Sequence, residues 1–322
     1  MRKVAIAAVL GALFTVAGPS LGAEGKIKGY MFGDYYYNAS GPAEKENAFE
    51  FRRIYFTYDI KWNERFSGRL RTEAKGGGFG SGATLDPFVK DAYIKYKMGQ
   101  GALEAGMSPT PTWNVTEGIW GYRSIEKTIM DLNKIGSSRD QGIAYRASLG
   151  EDSNIKYQVM LGNGASNKSE KDNDKKLYGQ VRYESEDNLQ VIAYADWQTQ
   201  PGGKDVTTLA AVLGKKGKGF HGGVEAFWQQ SKKKAAGADV TALGVSLFAA
   251  KKIKDKTKGF ARVDLFEPNN DADDDRKYLI IGGVDFEPAK GVHIMPNVRV
   301  LASDAPGVDT EVTPRVTGYF KF

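Results

Sequence analysis

The chain has 322 residues, with 45 Lys and Arg against 39 Asp and Glu, a net charge of +6 and no cysteine. That balance is too mild and too dispersed for a nucleic-acid partner, and a disulfide framework is excluded. Beyond the N-terminus no stretch approaches the ~18 apolar residues of a membrane helix, while 39 Gly, 16 Tyr and 16 Phe favour turns and strands.

In chain order, Arg2 and Lys3 precede the apolar run "VAIAAVLGALFTVAG" and then "PSLGA". A charged start, an apolar segment too short to span a bilayer and small residues at its end predict a secretory signal peptide over 1–23. Cleavage is expected after Gly22 or Ala23, leaving one exported domain, 24–322, with no linker and no repeat.

Period-two alternation then predicts sixteen strands. They lie near 26–38, 49–62, 65–74, 88–98, 101–108, 139–149, 154–162, 176–185, 188–198, 205–214, 218–229, 239–250, 257–266, 276–287, 291–302 and 311–322. Short connections such as "NE" at 63–64 and "ED" at 186–187 alternate with longer polar ones such as "KGGGFGSGATLD" and "GASNKSEKDNDKK". An even number of strands with short turns on one side and long loops on the other predicts an all-β transmembrane antiparallel barrel. In lipid no amide can go unpaired, so the sheet must close on itself. The final strand, "VTPRVTGYFKF", therefore has no tail, and Phe322 should pair with the first strand.

Aromatics test this separately. On the apolar parity, Trp62, Phe66, Tyr96, Tyr183, Phe220, Phe286 and Phe322 fall at the periplasmic strand ends, and Tyr35, Tyr37, Trp197, Trp228 and Tyr278 at the outer ends. Two belts with Val181, Val191, Ala193, Val224 and Val263 between them match a membrane girdle. A soluble sandwich has no cause to sort aromatics by strand end.

The segments "FEFRRIYFTYDIKWNERFSGRLRTEA", "DPFVKDAYIKYK", "LEAGMSPTP", "SSRDQGIAY", "QVMLGNG" and the terminal "GYFKF" resemble those of bacterial trimeric porins of the phosphate-selective O/P group. The resemblance implies a sixteen-stranded homotrimeric channel in the Gram-negative outer membrane, with a third loop constricting each pore.

The polar parity faces the lumen, where Arg53, Arg69, Arg71, Lys95 and Arg315 form a basic stretch on adjacent strands. They either focus a positive field in a narrow aqueous passage or pair with Asp59, Glu73 and Asp91 to stiffen the wall. Between Pro109 and Ser138 lies the one connection long enough to fold inward. Its Trp113, Ile119, Trp120, Ile125, Ile129, Met130 and Leu132 are too apolar for a solvated tip. "EKTIMDL" looks helical, and Glu117, Glu126 and Asp131 would oppose the basic wall. The alternative is an outward loop packed on a neighbouring subunit.

Gly29, Gly33, Gly68, Ala74, Ala92 and Ala105 on the outward parity point to close protein contact and a homotrimer. Arg52 falls on that parity too, which is costly against lipid. The only histidines, His221 and His293, form no recognisable triad, so an enzyme is not expected, nor a metal or cofactor. "NNDADDD" at 269–275 lacks the glycine of a calcium loop and reads as a solvated tip, the alternative being weak divalent-ion or lipopolysaccharide bridging. The expected function is a passive diffusion channel for small hydrophilic solutes and ions, with a mild anion preference. Two other readings are a solute-specific channel, for phosphate or another anion, and a barrel scaffold sleeving a partner protein.

Overall fold

The computed structural model describes residues 23–322 except 79, 151–152, 201–203 and 234–238; the expected signal segment 1–22 lies outside the described residues. Sixteen strands run antiparallel in chain order. They are β1 Glu24–Tyr37, β2 Asn47–Lys61, β3 Phe66–Lys75, β4 Asp86–Met98, β5 Gly101–Pro109, β6 Arg139–Leu149, β7 Ile155–Gly162 and β8 Lys176–Glu184. The second half comprises β9 Leu189–Gln200, β10 Lys204–Lys216, β11 Phe220–Lys233, β12 Val240–Lys254, β13 Thr257–Glu267, β14 Lys277–Ala289, β15 Val292–Ser303 and β16 Glu311–Lys321. Two short helices, α1 Asn114–Trp120 and α2 Ile129–Leu132, lie between β5 and β6.

The barrel closes as the backbone argument requires. β1 pairs with β16 from Tyr30↔Lys321 to Tyr36↔Arg315. Beyond that register, the Gly29 N–H donates to the Phe322 carbonyl at 2.9 Å and the Phe322 N–H to the Gly29 carbonyl at 3.0 Å. The last residue thus completes the ladder. Of the twelve belt aromatics, nine are exposed on the outer wall, while Tyr96, Trp228 and Tyr278 are half-buried there.

Two bulges overturn the simple parity. Between β1 and β2 the register steps from Phe32↔Arg53 to Gly33↔Phe51, leaving Arg52 as the extra residue. Between β3 and β4 it steps from Arg71↔Asp91 to Thr72↔Val89, leaving Lys90 extra. An extra residue re-aims its side chain, and both cations turn into the lumen, so the outward placement expected for Arg52 is corrected. Three of the outward glycines also serve their own chain. A Cβ on Gly29 would strike the Phe322 ring, one on Gly68 would lie 2.8 Å from Trp62, and one on Gly33 would clash with the Glu50 carbonyl.

The apolar core sits inside the barrel. One cluster joins Ile119, Trp120, Tyr122 and Ile125 to Ile192, Val212, Phe248, Phe260, Leu279 and Ile281 of the wall. A second joins Trp113, Ile129, Met130 and Ile135 to Met160, Tyr178, Tyr194, Phe227 and Phe266. The connection 110–138 therefore folds inward and covers the lumen face from β6 to β15.

Candidate functional site

Local chemistry shapes this inward loop. Asn114 Nδ2 donates to the Thr110 carbonyl at 2.9 Å as α1 begins. Gly121 ends the helix with φ of 74°, and its N–H donates to the Glu117 carbonyl at 2.9 Å. A left-handed glycine is the usual way to stop a helix. Trp120, fully buried, donates from Nε1 to the Glu126 carbonyl at 3.0 Å and packs edge-on against Phe248. With its apolar face spent on β6–β15, the loop turns its charged face towards β1–β5 and β16. The charged faces of loop and wall meet on that side.

Between the loop and this wall lies a small cavity of about 100 Å³, the constriction. Arg53, Arg71, Lys90, Arg123, Lys127 and Arg139 line it, six cations against the three carboxylates Glu73, Glu117 and Asp131. On the wall, Glu73 bridges Arg53 at 2.7 Å and Lys90 at 3.1 Å. Asp91, fully buried, bridges Arg71 at 3.5 Å and Arg139 in a closer contact. Four wall cations thus share two carboxylates, an excess of two positive charges. On the loop, Arg123 pairs with Glu117 at 3.3 Å and Asp131 at 3.8 Å, and Lys127 with Asp131 at 3.5 Å. The loop is neutral. The field therefore points from wall to loop.

With this geometry in hand, the comparisons decide the family. The sequence matches the family model of the phosphate-selective porins O and P over residues 26–295. The chain belongs to that porin family. Among solved structures, OmpT from the outer membrane of Vibrio cholerae shares the fold with a TM-score of 0.69 at 14% identity, covering 95% of this chain and 99% of that one. An anion-selective porin from Comamonas acidovorans aligns with a TM-score of 0.69 at 13% identity over 93% and 100%. The channel DcaP of Acinetobacter baumannii gives 0.67 at 11% over 94% and 98%. No curated protein matches the sequence. The protein is an outer-membrane porin channel with a closed sixteen-stranded barrel.

The porin does not gather all the expected site residues at one height. Arg53 and Arg71 line the constriction. Arg69 sits below it, bound to Asp59 at 2.6 Å, a carboxylate it shares with Lys28 at 2.5 Å. Lys95 also faces the periplasmic side, 3.6 Å from Glu104. Arg315 lies nearer the outer end with Arg52 and Arg299, and its Nε and Nη2 are buried without a hydrogen-bond partner among the described residues. Of the loop carboxylates, Glu117 and Asp131 reach the constriction, whereas Glu126 turns to Arg299 at 3.3 Å. Lys90 and Arg139 were not read from the sequence, and Arg52 was expected on the outer wall. Arg52 anchors the loop tip, donating to the Ile125 carbonyl at 3.1 Å, to the Ser124 carbonyl and to Asp34.

Loop ionisation follows from depth. Burial pushes the Glu117 carboxyl above the usual carboxylate range, against the pull of Arg123, though a third of its side chain still meets lumen water. For Glu126 burial acts the same way, but Arg299 and Arg315 outweigh it and hold the group below that range.

Proposed function

We propose that the porin is a passive, water-filled diffusion channel for small hydrophilic solutes and ions, with a mild preference for anions. The observation that supports this most is the constriction's surplus of cations. Even with buried Asp91 counted beside the three lining carboxylates, six positive groups meet four negative ones. Every wall carboxylate is already shared between two cations, so a specific phosphate cage with free donors is not what the geometry favours. Nor does a protein-sized sleeve fit, because the inward loop divides the lumen into separate spaces, the largest described being about 850 Å³ and the one between loop and basic wall about 100 Å³. An ordinary neutral or anionic metabolite fits such spaces.

Under this reading the chain is exported by its signal peptide, the mature barrel is 24–322, and it has no catalytic activity, metal or cofactor. It sits among outer-membrane lipid and lipopolysaccharide as a homotrimer, a form also seen for OmpT of Vibrio cholerae. The outward-facing small residues left for a neighbour are Ala74, Ala92 and Ala105, since Gly29, Gly33 and Gly68 are occupied within the chain. Cross-linking in mild detergent should give a trimer; monomers alone would remove that claim. The function is tested by solute flux into proteoliposomes. Uptake of chloride, phosphate and small sugars should rise linearly with concentration. Saturation by phosphate, with phosphate blocking chloride flux, would establish the solute-specific channel instead.

A further inference from the structure

Two spaces adjoin at α1 and Arg123 of the inward loop. The constriction lies on one side, and a vestibule of about 850 Å³, rimmed by Lys290, Lys321 and Phe322 at the periplasmic end, lies on the other. Four residues line both, namely Tyr30, Asn114, Glu117 and Arg123. These four side chains stand between the two spaces, and a solute passing from one to the other would pass them. Three of the four belong to the loop. Tyr30 alone comes from the barrel wall.

We propose that Tyr30 is the size-selecting residue of the porin, a role separate from that of the charged groups that set ion preference. This rests on the channel reading above. Its backbone is paired on both sides, with Tyr55 on β2 and Lys321 on β16, so the residue cannot swing away as a loop residue can. Its ring stacks on Tyr55 at 4.4 Å and 29°, with Tyr319 at 5.9 Å on the β16 side. Tyr55 is itself buried beneath the Arg71 guanidinium, 5.9 Å from its ring centre. An aromatic so buttressed keeps one rotamer, since close-packed neighbours leave no room for another. Opposite stands Arg123, whose guanidinium lies 5.8 Å from the Phe32 ring and is tied to Glu117 and Asp131. The free width is then set by how far the Tyr30 ring projects, and an uncharged ring changes width without changing the field.

The test uses the full porin in liposomes and planar bilayers, with neutral sugars of increasing size and a KCl gradient as probes. Tyr30→Ala should raise trisaccharide entry several-fold, leave monosaccharide entry nearly unchanged and keep the native reversal potential. Tyr30→Trp should lower disaccharide entry, and so carries the test if the alanine variant fails to fold. Tyr30→Phe should match the native protein, while Arg123→Gln should shift the reversal potential towards cations. Unchanged size dependence in Tyr30→Ala or Tyr30→Trp would overturn the proposal. So would a reversal-potential shift in Tyr30→Ala as large as that in Arg123→Gln. A native protein that admits neither ions nor monosaccharide would instead remove the channel reading itself.

Discussion

Replacing Arg53 by Gln takes one charge from the wall while Lys90 still holds Glu73 at 3.1 Å, so the wall surplus falls from two charges to one. An ion passing roughly 6 Å from the lost guanidinium in water-like dielectric feels about 0.7 kcal/mol. Screening with a Debye length of about 8 Å cuts that to about 0.3 kcal/mol. The anion loses this attraction and the cation is relieved of an equal repulsion, so the chloride-to-potassium permeability ratio should fall about threefold. Glu73→Gln frees both partners and should raise the ratio by a similar factor. The assay is reversal potential across a planar bilayer in a KCl gradient, at several ionic strengths. The effect should shrink as salt rises. If both variants leave the ratio unchanged, or move it the same way, the charge surplus at the constriction does not govern selectivity.

Glu117 titrates above an ordinary carboxylate because it is buried, so as the pH falls it should take up a proton before an ordinary carboxylate does and strengthen anion preference. Glu117→Gln should show that stronger preference already at neutral pH, and a native channel with no response to acidification would contradict the assignment. Trp120→Ala empties a fully buried indole site between loop and wall and should cost about 3–5 kcal/mol, read as a lower unfolding temperature and noisier single-channel current. Unaltered current noise would mean the loop is held by its other contacts. Deleting Phe322 removes two backbone hydrogen bonds to Gly29, about 1 kcal/mol each, together with a ring packed over that glycine. The barrel should unfold at lower urea concentration, by heat-modifiable gel mobility, and an unchanged midpoint would count against terminal closure as a stabilising contact.

Most of the barrel was legible because lipid and lumen impose opposite demands on alternate residues. The boundaries of β6 coincide with the pattern, and most others fall within two residues of it. β11 and β12 run four residues further, to Lys233 and Lys254, because lysines at a rim break the apolar alternation without breaking the ladder. The bulges were not legible. At "RR" two identical residues stand side by side, so no pattern shows which of Arg52 and Arg53 is the extra one. Lys90 escaped notice for the same geometric reason, as the extra residue of the second bulge. α1 was missed as well, since "NVTEG" has weak helix propensity and is held by Trp113, Ile119 and Trp120 packing on the wall. The inward loop itself was evident from its apolar content. Which cation meets which carboxylate depends on register, as with Glu73 between residues of β2 and β4, and alternation carries no register.

The most direct test of the account is the reversal potential of the native porin in a tenfold KCl gradient. Discrete conductance steps should appear, and the current should vanish at a potential displaced modestly towards the chloride equilibrium value. Displacement towards the potassium value, or a bilayer that shows no steps at all, would contradict a water-filled passage governed by an excess of wall cations.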